Sequence, residues 1–278
     1  MNQDVKSTTG FVRVCGGNLR YEMAGEGPVL VLIHSGLTDC RMYDDQFGEF
    51  AERCRVLRYD LHGFGRSSWP EGPYTHHEAL HELLGQLDID HATLLGTSLG
   101  GGVALDFALT YPKMVDALVT VAAGIGGYPQ TPDDERLFAP VVRAFTDNDY
   151  TTAIDLMIHI WVDGPDRNPE EVDAHLRERV RALYTDVLLR TREGGRQPEK
   201  LDPPAYGRLD QIQVPTLVLI GDRDIPSVRG QADQIAGSIQ GARKIVIPNV
   251  AHLLNMEIPN EFNRIVLEFL RERQLVRS

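Results

Sequence analysis

Short apolar runs rich in β-branched residues alternate along the chain with stretches of helical period. "FVRV" and "LRYEM", with Gly16-Gly17 as their turn, predict an opening hairpin. "PVLVLIH" (28–34), "CRVLRYD" (54–60), "TLLG" (93–96), "ALVTVAA" (117–123), "VPTLVLIG" (214–221) and "ARKIVIP" (242–248) predict further strands. Their near-continuous apolar character implies burial on both faces, as in a parallel sheet. Helical spacing fills about 40–52, 75–88, 99–111, 229–238 and 259–274. The alternation predicts an α/β fold, a mostly parallel central sheet with helices on both faces.

One interval breaks the rhythm. From 125 to 207 no convincing strand occurs, whereas "YTTAIDLMIHIWV" and "PEEVDAHLRERVRALYTDVLLR" have helical period. This predicts a helical insertion between two late strands, with residues 1–124 and 208–278 forming the core.

Between the strand "TLLG" and the helix that follows it lies Gly96-Thr97-Ser98-Leu99-Gly100, which fits G-x-S-x-G. A serine held at a sharp strand-to-helix bend needs neighbours with almost no side chain, two residues before and two after. The bend keeps Oγ clear of the backbone and aims the next N–H, that of Leu99, at a reacting oxygen. A dinucleotide fingerprint, G-x-G-x-x-G, fits less well. Ser98 occupies the place of its middle glycine, and Asp116 opens a strand where a ribose-binding acid would end one.

Composition narrows the setting. The 278 residues carry a net charge of −12, which disfavours nucleic acid and anionic membrane surfaces as partners. Between 125 and 206 there are 16 acidic and 10 basic residues, so the insertion is itself acidic. Three cysteines without C-x-x-C spacing suit a reducing compartment. The first ten residues lack a signal-peptide pattern, and no run of about 18 apolar residues occurs. The expectation is a cytoplasmic protein whose partner is a small-molecule substrate, with no nucleic acid or membrane contact; self-association is left open. "HEALH" (77–81) satisfies H-E-x-x-H, the helical zinc-protease pattern. A third ligand is not evident nearby, so His76, His77 and His81 read as a solvated or partly packed helix face.

A serine needs a histidine to take its proton and an acid to orient that histidine. "GDRDIP" follows the strand "TLVLI", and "PNVAHLLNMEIP" follows "ARKIVI". Asp224 and His252 therefore lie in loops at strand ends equivalent to that of Ser98. Asp224 is preferred to Asp222 because it stands further from Gly221 and has the reach; Asp222 more naturally braces the turn. "VLIHSGLTD" supplies Gly36, whose N–H could join that of Leu99 as an oxyanion hole. His34 reads as a brace for the loop backbone.

Strand-His-x-Gly, "YDLHGFGRSS" (59–68), "GTSLGG", "GDRD" and "AHLLNMEIP", in that order, resemble the α/β-hydrolase superfamily from about residue 11 to 275. The serine places the resemblance with its esterases, enol-lactonases, carbon–carbon bond hydrolases and cofactor-free haloperoxidase-like enzymes. It departs from many relatives at Ser35 and Ala251, where glycine is common, and at His62, where arginine is common. The resemblance implies that 125–207 is a cap, and that Ser98, His252 and Asp224 form a triad requiring no metal or organic cofactor. A small or medium carboxylic ester or lactone is the expected substrate. Carbon–carbon hydrolysis of a diketone, or a slow, receptor-like binding role, are the alternatives. Trp161 and His159 are the candidate pocket residues in the insertion, although Ile154, Met157, Ile158 and Trp161 have the spacing of a helix packing on a core.

Overall fold

The computed structural model describes residues 6–191 and 195–277. Residues 1–5, 192–194 and 278, which fall within the three sequence segments named above, lie outside the described residues. Eight strands form one sheet in the order β1-β2-β4-β3-β5-β6-β7-β8: β1 Ser7–Val14, β2 Gly17–Ala24, β3 Val29–Ile33, β4 Arg55–Tyr59, β5 Ala92–Thr97, β6 Val115–Val121, β7 Thr216–Gly221 and β8 Arg243–Ile247. β2 pairs antiparallel with both β1 and β4, and every other pairing is parallel.

The opening hairpin turns one residue earlier than expected. Cys15 (φ 48°) and Gly16 (φ 80°) form the bend, and Gly17 already belongs to β2. Two successive positive φ values match the twist of a two-residue hairpin turn. Burial on both faces holds for β5 and β7, whose residues are all buried. It fails for β8, the last strand in the sheet order, which alternates, with Lys244 and Val246 exposed, because one face of this strand is left uncovered.

Helices α1 Asp44–Ala51, α2 His76–Gln86, α3 Leu99–Thr110, α7 Pro226–Ser238, α8 Leu254–Glu257 and α9 Pro259–Glu272 complete the layered core. α9 shows why such segments fold as they do. Phe262, Ile265, Val266, Phe269 and Leu270 recur at helical spacing and are all buried. The segment between β6 and β7 contains α4 Pro132–Thr146, α5 Tyr150–Ile158 and α6 Ala174–Thr191, and no strand among its described residues. Thr131 starts α4 through a reciprocal cap with Asp134, whose N–H donates to Thr131 Oγ1 at 3.2 Å.

Buried polar groups tie the sheet's carboxyl edge to α1 and the turn before it. The Tyr43 hydroxyl donates to the Ile33 carbonyl at 3.0 Å and lies 2.9 Å from Thr97 Oγ1, bridging the ends of β3 and β5. Gln46 Nε2 donates to the Asn255 carbonyl and to Asn263 Oδ1, both at 3.0 Å, and Asn255 Nδ2 donates to the Met42 carbonyl at 2.8 Å. The ends of β3 and β5 and the start of α8 are thus held from one side by residues 42–46.

Tyr43→Phe would leave Thr97 Oγ1 and the Ile33 carbonyl without that hydroxyl in a dry site. Urea unfolding is expected to show a loss of about 1–3 kcal/mol; unchanged stability would mean that the bridge contributes nothing.

Candidate active site

Ser98 stands between β5 and α3 with φ 54° and ψ −112°, a backbone conformation unfavourable for a residue with a side chain. The flanking glycines explain how the bend closes. A Cβ on Gly96 would lie 2.1 Å from the Gly100 carbonyl oxygen, and one on Gly100 would lie 2.1 Å from the Ile33 carbonyl oxygen. Three hydrogen bonds then fix the serine's peptide groups. Its N–H donates to the Val121 carbonyl at 2.8 Å, and its carbonyl accepts from Gly102 N at 3.1 Å and Gly124 N at 3.2 Å. The Ser98 side chain is left half-buried and makes no hydrogen bond among the described residues.

The acid and base candidates meet directly. His252 Nδ1 lies 2.7 Å from Asp224 Oδ2, with the aspartate side chain fully buried and the imidazole 4% exposed. Donation from Nδ1–H to the carboxylate leaves Nε2 as the proton-accepting nitrogen. Asp224 Oδ1 accepts from Ile225 N at 2.8 Å, so both carboxylate oxygens are engaged. Gly221 lets the two loops touch, since a Cβ there would lie 2.1 Å from the Val250 carbonyl oxygen. Asp222 instead accepts from Asn249 N at 2.7 Å and braces the turn. No hydrogen bond joins Ser98 to His252 among the described residues; such contacts are often loose before substrate binds.

On the other side of the serine, Gly100 rests against the carbonyls of Ile33 and His34, so the first turn of α3 abuts the loop carrying Gly36. Neither Gly36 N nor Leu99 N donates to a protein group among the described residues. The start of α3 adds its positive end to these free donors. His34 braces this loop. Its Nε2 accepts from Leu61 N at 2.9 Å, which leaves Nδ1–H to donate to the Ser35 carbonyl at 2.8 Å. Burial pushes the pKa of His34 below its ordinary value, favouring this neutral form.

The insertion reaches the histidine at Trp161. A turn of π-helix, His159–Asp163, continues α5, and such turns often mark functional positions. The Trp161 carbonyl accepts from His252 N at 3.2 Å, and the indole sits 4.2 Å from the imidazole, centroid to centroid. Trp161 and Phe138 line a cavity of about 840 Å³ together with Ile125, Ile225 and Gln231. His159, expected beside Trp161, is not among the residues lining that cavity. It is exposed and lies 3.4 Å from Asp163. Ile154 and Ile158 are buried and pack in the core, as their spacing allowed.

The sequence reading missed the clamp that holds this turn. Arg167 donates to the Val162 and Asn249 carbonyls at 2.8 and 2.7 Å, and also to the Asp163 carbonyl. It pairs with Glu257 at 2.6 Å, and Glu257 in turn accepts from Ala251 N at 3.0 Å. One nearly buried ion pair therefore joins the backbone around Trp161 to that around His252.

Of the three histidines, His76 and His77 are packed more deeply than expected and are buried, whereas His81 is exposed and stacks on Tyr111 at 4.1 Å. They form no metal-ligand grouping among the described residues. Among the described residues, the one grouping with such spacing is Asp39, Cys40 and Asp60. Its carboxylates already accept hydrogen bonds from Arg41, Cys40 N and Arg66 N. No helix among the described residues is long and apolar enough to cross a membrane.

A model of the alpha/beta hydrolase fold family matches residues 28–259. An uncharacterized protein of Mycobacterium tuberculosis is 37% identical over 120 residues, which are 42% of this chain and 35% of that one. The chain thus spans about a third of that relative's length. A 2-hydroxy-6-oxo-6-phenylhexa-2,4-dienoate hydrolase of Comamonas testosteroni is 26% identical over 272 residues, 92% of each chain. Among solved structures, a hydrolase from Pseudomonas aeruginosa PA01 is 30% identical with a TM-score of 0.71, over 95% of this chain and 98% of that one. Est816, an N-acyl homoserine lactone degrading enzyme, is 26% identical with a TM-score of 0.75, over 94% of this chain and 100% of that one.

The two glycines flanking the site should respond oppositely to an added methyl group. Gly100→Ala drives Cβ into a backbone oxygen and is expected to cost about 3 kcal/mol or to prevent folding. A Cβ on Gly36 meets nothing within 4 Å, so Gly36→Ala is expected to unfold within about 1 kcal/mol of wild type. Equal thermal stability of the two variants would contradict this packing.

Proposed function

Because the chain belongs to the alpha/beta hydrolase fold family, we propose that it is a serine hydrolase cleaving a small or medium carboxylic ester or lactone through an acyl-enzyme on Ser98. The observation that carries this reading is the 2.7 Å contact between His252 and buried Asp224, at strand ends equivalent to that of Ser98. His252 Nε2 takes the Ser98 hydroxyl proton as Oγ bonds to the carbonyl carbon. The N–H groups of Leu99 and Gly36 hold the resulting oxyanion, each worth about 10²–10³ in rate. His252 then returns the proton to the leaving oxygen, and the C–O bond to the alcohol breaks. Water, deprotonated by His252, attacks the acyl carbon; the bond to Ser98 Oγ then breaks, His252 returns the proton to Oγ, and the acid is released. In this reading 125–207 is a cap whose Trp161 borders the substrate space.

A carbon–carbon hydrolase is the second reading. It is supported by the Comamonas relative, which matches 92% of its own length. The same serine and histidine would serve a diketone.

A panel of aryl esters, lactones and a dienoate diketone tests the two readings together. Turnover of esters or lactones is expected, with kcat lowered about 10⁴-fold or more in Ser98→Ala and about 10⁴-fold in Asp224→Asn. Asp222→Asn is expected to stay within a few-fold of wild type, because that side chain braces the loop outside the reacting set. Turnover of the diketone alone would select the second reading. Undiminished activity in Ser98→Ala would overturn both.

A further inference from the structure

A second cavity, of about 910 Å³, lies beside α3 and has Leu99 among its lining residues. Leu99, Gly102, Val103 and Asp106 border it at positions i, i+3, i+4 and i+7, one stripe of the helix. The stripe leads from the serine bend to the Asp106 carboxyl, on the order of 10 Å along the helix axis. The opposite wall includes the segment from Gln197 to Asp202, fastened nearby at two points. Glu199 N donates to the Tyr74 carbonyl at 2.8 Å, and Tyr206 N donates to the Gly126 carbonyl at 2.9 Å.

Asp106 is poorly compensated. Its Oδ1 is out of contact with solvent and has no hydrogen-bond partner. It joins no ion pair among the described residues. Burial pushes its pKa up to about 6, with only partial relief from the Arg208 charge. The Arg208 guanidinium meanwhile donates to the Pro203 carbonyl at 2.7 Å. The neighbouring His76 cannot supply positive charge, because burial pushes its pKa down to about 3. Glu199, Lys200 and Asp202 also border the cavity and together add a net negative charge. Asp106 borders the cavity, and a poorly compensated carboxylate there is stabilised by a cation that enters it. The chain's net charge of −12 would also draw a cation toward it.

We propose that this cavity is the subsite for the cationic end of the substrate, an ester carrying an ammonium group on the order of 10 Å from its carbonyl and paired with Asp106. The proposal rests on the reading of Ser98 as nucleophile. Asp106 is then a specificity-determining residue that takes no part in proton transfer.

The test compares a p-nitrophenyl ester bearing a terminal ammonium group at that distance with its methyl-ended isostere. Wild type is expected to favour the ammonium ester about tenfold in kcat/KM. Asp106→Asn should remove the preference, bringing kcat/KM for the two esters to within about twofold of each other. Equal kcat/KM for the two esters in wild type, or a preference that survives in Asp106→Asn, would overturn the proposal. Calorimetric binding of the matching alkylamine and alkanol to Ser98→Ala separates it from the fate of the hydrolase reading. Tighter binding of the amine, lost in Ser98→Ala/Asp106→Asn, supports the subsite even if neither ester is turned over. Equal binding of amine and alcohol overturns it.

Discussion

The positive φ at Ser98 is the constraint on which the candidate site depends. A residue with a side chain held there costs about 1–3 kcal/mol and persists only where its surroundings fix it. Here the fixing is explicit. Val121, Gly102 and Gly124 hydrogen-bond its two peptide groups, and Gly96 and Gly100 close to contact distances that no side chain would allow. The strain presents a hydroxyl at the carboxyl edge of the sheet while α3 begins at the very next residue. The first N–H groups of that helix are therefore free beside the same hydroxyl. One bend thus serves both parts of the proposed chemistry, the nucleophile and one oxyanion donor.

The acid and base depend on a similar close approach further along the same carboxyl edge, after β7 and β8. Gly221 lets the loop carrying Asp224 lie against the backbone of Val250 and Ala251, so the carboxylate reaches His252 Nδ1 from a fully buried position. The insertion is fastened to that loop by the Arg167–Glu257 pair and by the hydrogen bond from His252 N to the Trp161 carbonyl. The wall of the 840 Å³ cavity and the proposed general base therefore share one set of supports. Movement of the π-turn would move the histidine as well. A nearly buried ion pair of this kind costs desolvation and returns geometry, consistent with a positioning role more than a stabilising one.

Much of the fold was legible in the sequence because the signals are local. The buried strands announce themselves as apolar runs, and their order along the chain carries the parallel pairing. Ser98, Asp224 and His252 could be singled out because each lies in the turn or loop that follows such a run. What escaped the sequence depends on contacts far apart in the chain. Arg167 has no local signature, and its partner Glu257 lies 90 residues away. His76 and His77 read as a solvated or partly packed face because helical spacing does not say what covers a helix, and here they are buried with Tyr74 and Tyr111 beside them. His159 and Trp161 are two residues apart on one turn, yet only the indole lines the 840 Å³ cavity. The hairpin turn shifted by one residue because Cys15, like Gly16, adopts the positive φ that a two-residue turn requires.

The activation of Ser98 by His252 is the central claim, and a fluorophosphonate probe tests it without any knowledge of the substrate. Intact mass after incubation is expected to show one adduct on the wild-type protein. Ser98→Ala should show none, and His252→Ala should label far more slowly, with both variants folded as judged by circular dichroism. A wild-type protein that takes up no probe, or an adduct undiminished in Ser98→Ala, would contradict it.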